Sequence, residues 1–162
     1  MIKTLSTLVI IGLFSVSCIQ IPIGNSETES YKKIRLKAPI GFNSVKASSS
    51  DQAWIKSTNG NIISYRTECP SQVKSVENHF NNISSDFLNS KVISKKKIQY
   101  NNRTAVRYNF VGDIESITTN YDLVGFKKYG CLFIITHNGR QGALENTETD
   151  FERFLENFKV LQ

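Results

Sequence analysis

Hydrophobic and polar positions alternate along most of this chain, and the period changes from two to three and four in two places. The densest apolar run is Leu132-Phe133-Ile134-Ile135, bounded by Gly130 before it and Asn138-Gly139 after it. A run that short between turn signals reads as a strand buried on both faces, the central strand of a sheet. Cys131 opens it.

Alternation predicts the other strands. Residues 31–37, with Ile34 and Leu36, read as a first strand. Ala38-Pro39-Ile40-Gly41-Phe42 reads as a turn, in which Pro presets φ and Gly takes the left-handed conformation. Phe42 and Val45 are expected in the core. Residues 53–57 carry the only Trp, Trp54. Asn59-Gly60 predicts a two-residue hairpin into a strand over 61–67. Further strands are expected over 92–100, 104–111 and 117–127, with turns at Asn101-Asn102, Gly112-Asp113 and 128–130. Tyr121, Leu123 and Gly125 should share one face. Residues 138–146 read as a polar loop.

The helical period appears first at Val73, Val76, Phe80, Ile83 and Phe87, with Ser71 as N-cap and Asn89-Ser90 as the stop. It returns at Phe151, Phe154, Leu155 and Phe158, after Thr147-Glu148-Thr149-Asp150, which has the form of a capping box. The order is strands, helix, four strands, helix. Consecutive strands joined by short turns make an antiparallel meander. Two one-sided helices must then cover it, so the fold class is α+β: an antiparallel β-sheet flanked by helices.

Composition changes this picture little. The chain has 162 residues, enough for one domain and a targeting segment. A net charge of +6 suits an anionic partner, but the basic residues look scattered, and Lys95-Lys96-Lys97 is too short for a polybasic arm. The expectation is a mildly basic surface with no nucleic-acid partner.

The N-terminus changes it more. Lys3 precedes an apolar stretch from Leu8 to Phe14, the plan of a secretory signal too short to span a bilayer. Ser15-Val16-Ser17-Cys18 resembles the bacterial lipoprotein lipobox, with Ser15 where Leu is usual. That resemblance implies a signal peptide over 1–17 and an acylated Cys18 at the head of the mature chain. Several acyl chains on one cysteine would hold it firmly in a membrane. Residues 18–30 then form a lipidated N-terminus and tether; a flexible dozen residues would span about 20 Å. Ile19 stands where Asp would signal inner-membrane retention, so the expected location is the cell envelope, on the periplasmic side of the outer membrane in a two-membrane cell.

Residues 31–162 carry a second resemblance. Ala38-Pro39-Ile40-Gly41-Phe42 looks like the P-x-G-W/F opening of PsbP/DcrB-like domains. Asn102-Arg103-Thr104-Ala105 is similar to their G-R-x-A turn, with Asn102 for Gly. Residues 151–160 resemble their closing helix, F-x-x-F-x-x-S/G-F-x-V. The resemblance implies an α/β/α sandwich around an antiparallel sheet. Members of that fold include extrinsic photosystem subunits, bacterial envelope lipoproteins and a nuclear-import factor family, most of which act by binding; fold alone does not license an activity.

Candidate chemistry is sparse. With Cys18 acylated, Cys69 and Cys131 remain, and an even pair in an exported chain suggests a disulfide with Cα atoms about 4.4–6.8 Å apart. His79 is expected on the helix surface and His137 just after the central strand. No His, Cys or carboxylate cluster has metal-ligand spacing. Neither G-x-S-x-G nor a Gly-rich phosphate loop occurs. Asp113 and Glu115 read as solvated loop carboxylates. The candidate contact loop is Asn138, Gly139, Arg140 and Gln141, polar and flexible. The sequence therefore reads as an envelope lipoprotein without metal or cofactor, a non-enzymatic binding or assembly factor. Its expected partners are the membrane, through the anchor, and an envelope protein. An envelope hydrolase and a carrier of a small apolar ligand are the alternatives.

Overall fold

The structure is a computed structural model that describes residues 34–161. The expected signal peptide, Cys18 and the tether lie outside the described residues. Among the described residues, nine strands and two α-helices run in the order β1 (Ile34–Arg35), β2 (Asn43–Val45), β3 (Gln52–Ile55), β4 (Ile62–Glu68), α1 (Val76–Ser85), β5 (Leu88–Tyr100), β6 (Arg103–Ile114), β7 (Ile117–Lys128), β8 (Cys131–Arg140), α2 (Glu148–Asn157) and β9 (Lys159–Val160). A short 3₁₀ turn, Leu144–Thr147, leads into α2. Seven strands form one antiparallel sheet in the order β2-β3-β4-β8-β7-β6-β5, and β1 pairs with β9 beside it.

The apolar run at 132–135 lies in β8, paired on one side with β4 and on the other with β7. Its side chains divide between two cores. Cys131, Phe133 and Ile135 pack with Trp54, Tyr65, Val124 and the α2 residues Phe151, Phe154, Leu155 and Phe158. Leu132 and Ile134 pack on the opposite face with Tyr108, Phe110, Leu123 and Phe80 of α1. The sheet is thus the middle layer of an α/β/α sandwich, as the alternation requires once both faces are apolar.

Three turns are of one kind. Asn101-Asn102, Glu115-Ser116 and Tyr129-Gly130 all have positive φ at both positions and close two-residue hairpins, the turn whose twist matches paired strands. The expected turn at Gly112-Asp113 is absent: β6 continues through both residues to Ile114. Gly112 serves contact instead, since a Cβ there would come within 2.7 Å of Phe87 Cβ. The turn at Asn59-Gly60 is longer than expected. Lys56 N–H donates to Asn61 C=O at 2.8 Å, enclosing a four-residue loop, and the Asn61 side chain turns into a buried network.

α1 starts later than expected, and α2 starts after Thr147 as expected but without the expected cap. Ser75, not Ser71, caps α1, accepting from Asn78 N–H, while Ser71 N–H is held by Gly130 C=O. α1 also ends early, at Ser85, and Asn89 falls inside the bulged start of β5. Thr147 makes no capping bond at α2, so no capping box forms; its hydroxyl is engaged by His137 and Asn61. Val45 is exposed rather than inserted, because β2 is an edge strand on a part of the sheet no helix covers.

Cys69 and Cys131 form a disulfide with Cα atoms 4.5 Å apart. It ties the end of β4, where the chain leaves toward α1, to the start of β8. The bond closes a 62-residue separation, worth about 4 kcal/mol in the chain-entropy account. Replacing both cysteines by Ala should lower the unfolding free energy by about that amount, measured by denaturant titration, with the sheet signal retained.

Candidate functional site

α1 covers only part of its face of the sheet, and the reason lies in two glycines. On β7, a Cβ at Gly125 would come within 2.4 Å of Phe80 Cζ and 2.7 Å of Val76 Cγ1. On β6, Gly112 admits Phe87 in the same way. The helix therefore seats over β5, β6 and β7. The same face of β4 and β8 carries Ser64, Arg66, Glu68, Thr136 and Asn138 interleaved with Ile62, Leu132 and Ile134, so an apolar helix face finds less to bury there.

The uncovered part is a cleft of about 710 Å³. Its floor is Ala53, Leu123 and Ile134, all buried, with Ser64, Thr136 and Asn138 adding two hydroxyls and an amide. Ile83, Phe87, His79 and Asp86 form the α1 wall, and Ala47, Ser49 and Ser50 the opposite wall. Arg66 and Glu68 stand at one side, joined at 3.1 Å. An apolar floor with a few placed polar groups suits recognition of a ligand or chain segment.

The opposite face holds a polar network that sequence reading missed. Ser94, Asn109, Asp122 and His137 are register partners across β5, β6, β7 and β8. Arg107 Nε donates to both Asp122 carboxylate oxygens at 3.0 Å, and its Nη1 reaches Glu152 of α2 at 2.6 Å. Burial pushes the Asp122 carboxyl up, and Arg107 pulls it back; the Asp122 hydrogen bond raises Arg107 further above its ordinary value. Such a fork-to-carboxylate pair is directional as well as strong.

His137 lies within β8, 1 % exposed, not after the strand as expected. Its ring stacks on Phe151 at 4.8 Å and its Nε2 is 2.8 Å from Thr147 Oγ1. The Thr147 hydroxyl gives its one proton to Leu144 C=O and accepts from Asn61 Nδ2 at 2.6 Å. Burial, then the charge of Arg107, lowers the His137 pKa to about 4. Asn61, His137 and Thr147 are buried beneath α2 and clasp it to the sheet, while Ser94, Arg107, Asn109 and Asp122 line an open pocket of about 480 Å³ beside it. The signal for them was in the strand parity: His137 follows Phe133 and Ile135 on one face, and Asp122 interrupts the run 121–126.

The residues expected to form a contact loop are dispersed. Asn138, Gly139 and Arg140 belong to β8, because pairing with Thr119 and Asn120 carries the strand to Arg140. Asn138 enters the cleft, Gly139 lies beneath Asn61, Arg140 is exposed, and Gln141 N–H is bound to Thr118 C=O. Among the described residues, no three His, Cys, Asp or Glu side chains converge as a metal site would need, and no helix is long and apolar enough to cross a membrane.

The chain matches no protein-family profile and no curated sequence. Its fold does define a class: this is the PsbP-like arrangement of an antiparallel sheet between helices. Cyanobacterial PsbP (CyanoP) from Synechocystis sp. PCC 6803 superposes with a TM-score of 0.56 at 10% identity, covering 83% of this chain and 90% of that one. LpqN, involved in cell envelope biogenesis of Mycobacterium tuberculosis, gives 0.58 at 9% identity over 80% and 83%. PA94 from Pseudomonas aeruginosa, a protein of unknown function and candidate regulator, gives 0.54 at 16% over 75% and 81%.

The buried histidine carries a pH dependence. Its folded pKa of about 4 lies below the ordinary imidazole value of 6.5, so the unfolded chain binds the extra proton first. Stability from this group is full above the unfolded pKa and falls as pH drops toward 4, by about 3 kcal/mol for a shift of that size. Denaturant titrations between those limits should show the slope, and His137→Gln should flatten it.

Proposed function

We propose that this protein is a cell-envelope factor that acts by binding, not catalysis, with the α1-side cleft as its contact surface and an acylated Cys18 as its anchor. The cleft carries the reading: an open, largely apolar groove of about 710 Å³ whose position is set by where α1 can and cannot seat. The presence of an envelope-biogenesis protein among the similar folds supports the location. The anchor places the protein on a membrane, the periplasmic side of the outer membrane in a two-membrane cell, with an envelope protein as partner and no nucleic acid or cofactor.

A small apolar ligand is the second reading, favoured by the buried floor of Ala53, Leu123 and Ile134. The hydrolase alternative draws little from the cleft. Arg66 and Glu68 are engaged with each other, and His79 and Asp86 stand on the helix wall with no hydrogen bond directed at Ser64 or Thr136 among the described contacts.

Filling the groove tests the proposal. Ser64→Trp and Thr136→Trp should each abolish complementation of a deletion strain while leaving thermal stability and membrane fractionation unchanged. His79→Ala combined with Asp86→Asn should complement fully. Loss of function in that pair, with the Trp variants active, would instead make the cleft an enzyme site. For the anchor, mass spectrometry of the mature N-terminus should find Cys18 diacylated or triacylated; an unmodified residue or cleavage elsewhere removes that part of the proposal.

A further inference from the structure

The basic residues that look scattered in sequence gather at one end of the sheet. The turns Asn101-Asn102 and Tyr129-Gly130 lie side by side there, and β9 joins them: Lys159 Nζ donates to Asn101 Oδ1 at 2.8 Å, and Lys128 Nζ to Val160 C=O. β1 pairs with β9 and brings Arg35 opposite Lys159. Arg103 donates to Lys127 C=O at 3.1 Å, and Lys127 to Val73 C=O at 2.7 Å.

What these cations bind matters more than their number. Arg103, Lys127, Lys128 and Lys159 are all held by neutral acceptors, so they are fixed in place with no ion pair among the described residues. The ion pairs among the described residues use other cations: Lys56, Arg66, Lys95 and Arg107. Glu68, at the end of β4 opposite Leu132, is joined to Arg66 at 3.1 Å, and Asp51 lies beside the same arginine. The far end of the sheet has the opposite sign, with Asp113, Glu115 and Glu145 at or beside its turns. Two apolar side chains project among the cations: Tyr129, 50 % exposed with Lys128 Nζ 4.7 Å from its ring centroid, and Leu161, 41 % exposed.

We infer that this end is a docking face for an anionic phospholipid membrane, the cations meeting headgroup phosphates and Tyr129 and Leu161 entering the interface. Charge complementarity is the first argument, since basic residues close to an anionic surface each add attraction and an aromatic side chain suits the headgroup level. The second is where the chain enters. Ile34 stands at this end, paired with Val160, and fifteen residues separate it from Cys18. Backbone geometry caps that span at about 55 Å, so an acylated Cys18 would tether the domain through this end. This second argument rests on the anchor proposed above; the first does not. Docked this way, the domain points its acidic end away from the membrane and holds the cleft between the two.

The test uses residues 18–162 carrying Cys18→Ser, which contain the whole described fold and leave acylation out of the result. Partitioning is measured onto vesicles of phosphatidylglycerol and phosphatidylcholine in equal parts, and onto phosphatidylcholine alone. Binding should need phosphatidylglycerol and weaken with salt. Lys127→Gln, Lys128→Gln and Lys159→Gln together should lower the partition coefficient by about two orders of magnitude, the product of about fivefold per basic side chain, or ~1 kcal/mol each. Lys91→Gln, Lys96→Gln and Arg140→Gln remove the same charge elsewhere and should cost far less. Circular dichroism checks that both triples fold. As a second readout that keeps the cations, Tyr129→Trp should be quenched by brominated acyl chains relative to the parent with Trp54 alone, and Ile114→Trp at the far end should not. No preference for phosphatidylglycerol, equal losses in the two triples, or quenching at position 114 instead of 129 would each overturn the inference. Failure here leaves the anchor proposal to its own mass-spectrometric test.

Discussion

Everything in this domain depends on a strand that cannot show either face to water. β8 carries Phe133 and Ile135 on one side and Leu132 and Ile134 on the other, and all four are buried. Such a strand needs neighbours along both edges to satisfy its backbone, which β4 and β7 supply. It also needs cover above and below. That double demand makes a sandwich of the sheet, and it explains why the two amphipathic helices lie on opposite faces rather than side by side. The Cys69–Cys131 bond then ties the entry of this strand to the exit of its neighbour.

How each helix is held differs between the faces, and the difference separates structure from site. α2 is fixed by polar groups as well as aromatic ones: Glu152 reaches Arg107, and Thr147 engages His137 and Asn61. Buried networks of this kind are costly when half satisfied and specific when complete, so they pin register and orientation. α1 is held by fewer and more exposed polar groups. It is seated by Phe80 over Gly125, with Phe87 just past its end over Gly112; Tyr108 Oη bonds Ser84 and Asn81, and Glu77 pairs with Lys95 at the surface. Where the glycines stop, cover stops, and the cleft begins. A side chain at Gly125 would displace the helix wall, which makes that glycine a determinant of cleft shape as much as of stability.

The two ends of the sheet differ in charge because turns and termini of unrelated sequence meet there. Arg35, Arg103, Lys127, Lys128 and Lys159 come from four separate stretches of chain, and antiparallel pairing brings them to one rim. Net charge alone conveys none of this. It is the separation of sign across the described residues, with fixed cations that have no acidic partner among them, that creates a directional field.

The sequence by itself determined the layers. Period-two and period-three-and-four patterns report which residues share a face, and burial acts on faces, so the element order, both apolar helix stripes, the two-sided central strand and the surviving cysteine pair were legible. The turn at Asn101-Asn102 was legible for a local reason, because Asn tolerates positive φ. Only the tertiary structure decided the rest, and each case turns on a partner distant in the chain. Gly112 reads as a turn residue until Phe87 is placed against it. Thr147 reads as a cap until His137 and Asn61 claim its hydroxyl. Residues 138–140 read as loop until Thr119 and Asn120 pair with them. The cleft is the strongest instance: it exists because an apolar helix face passes over polar positions on β4 and β8, and no single segment encodes the gap between two others.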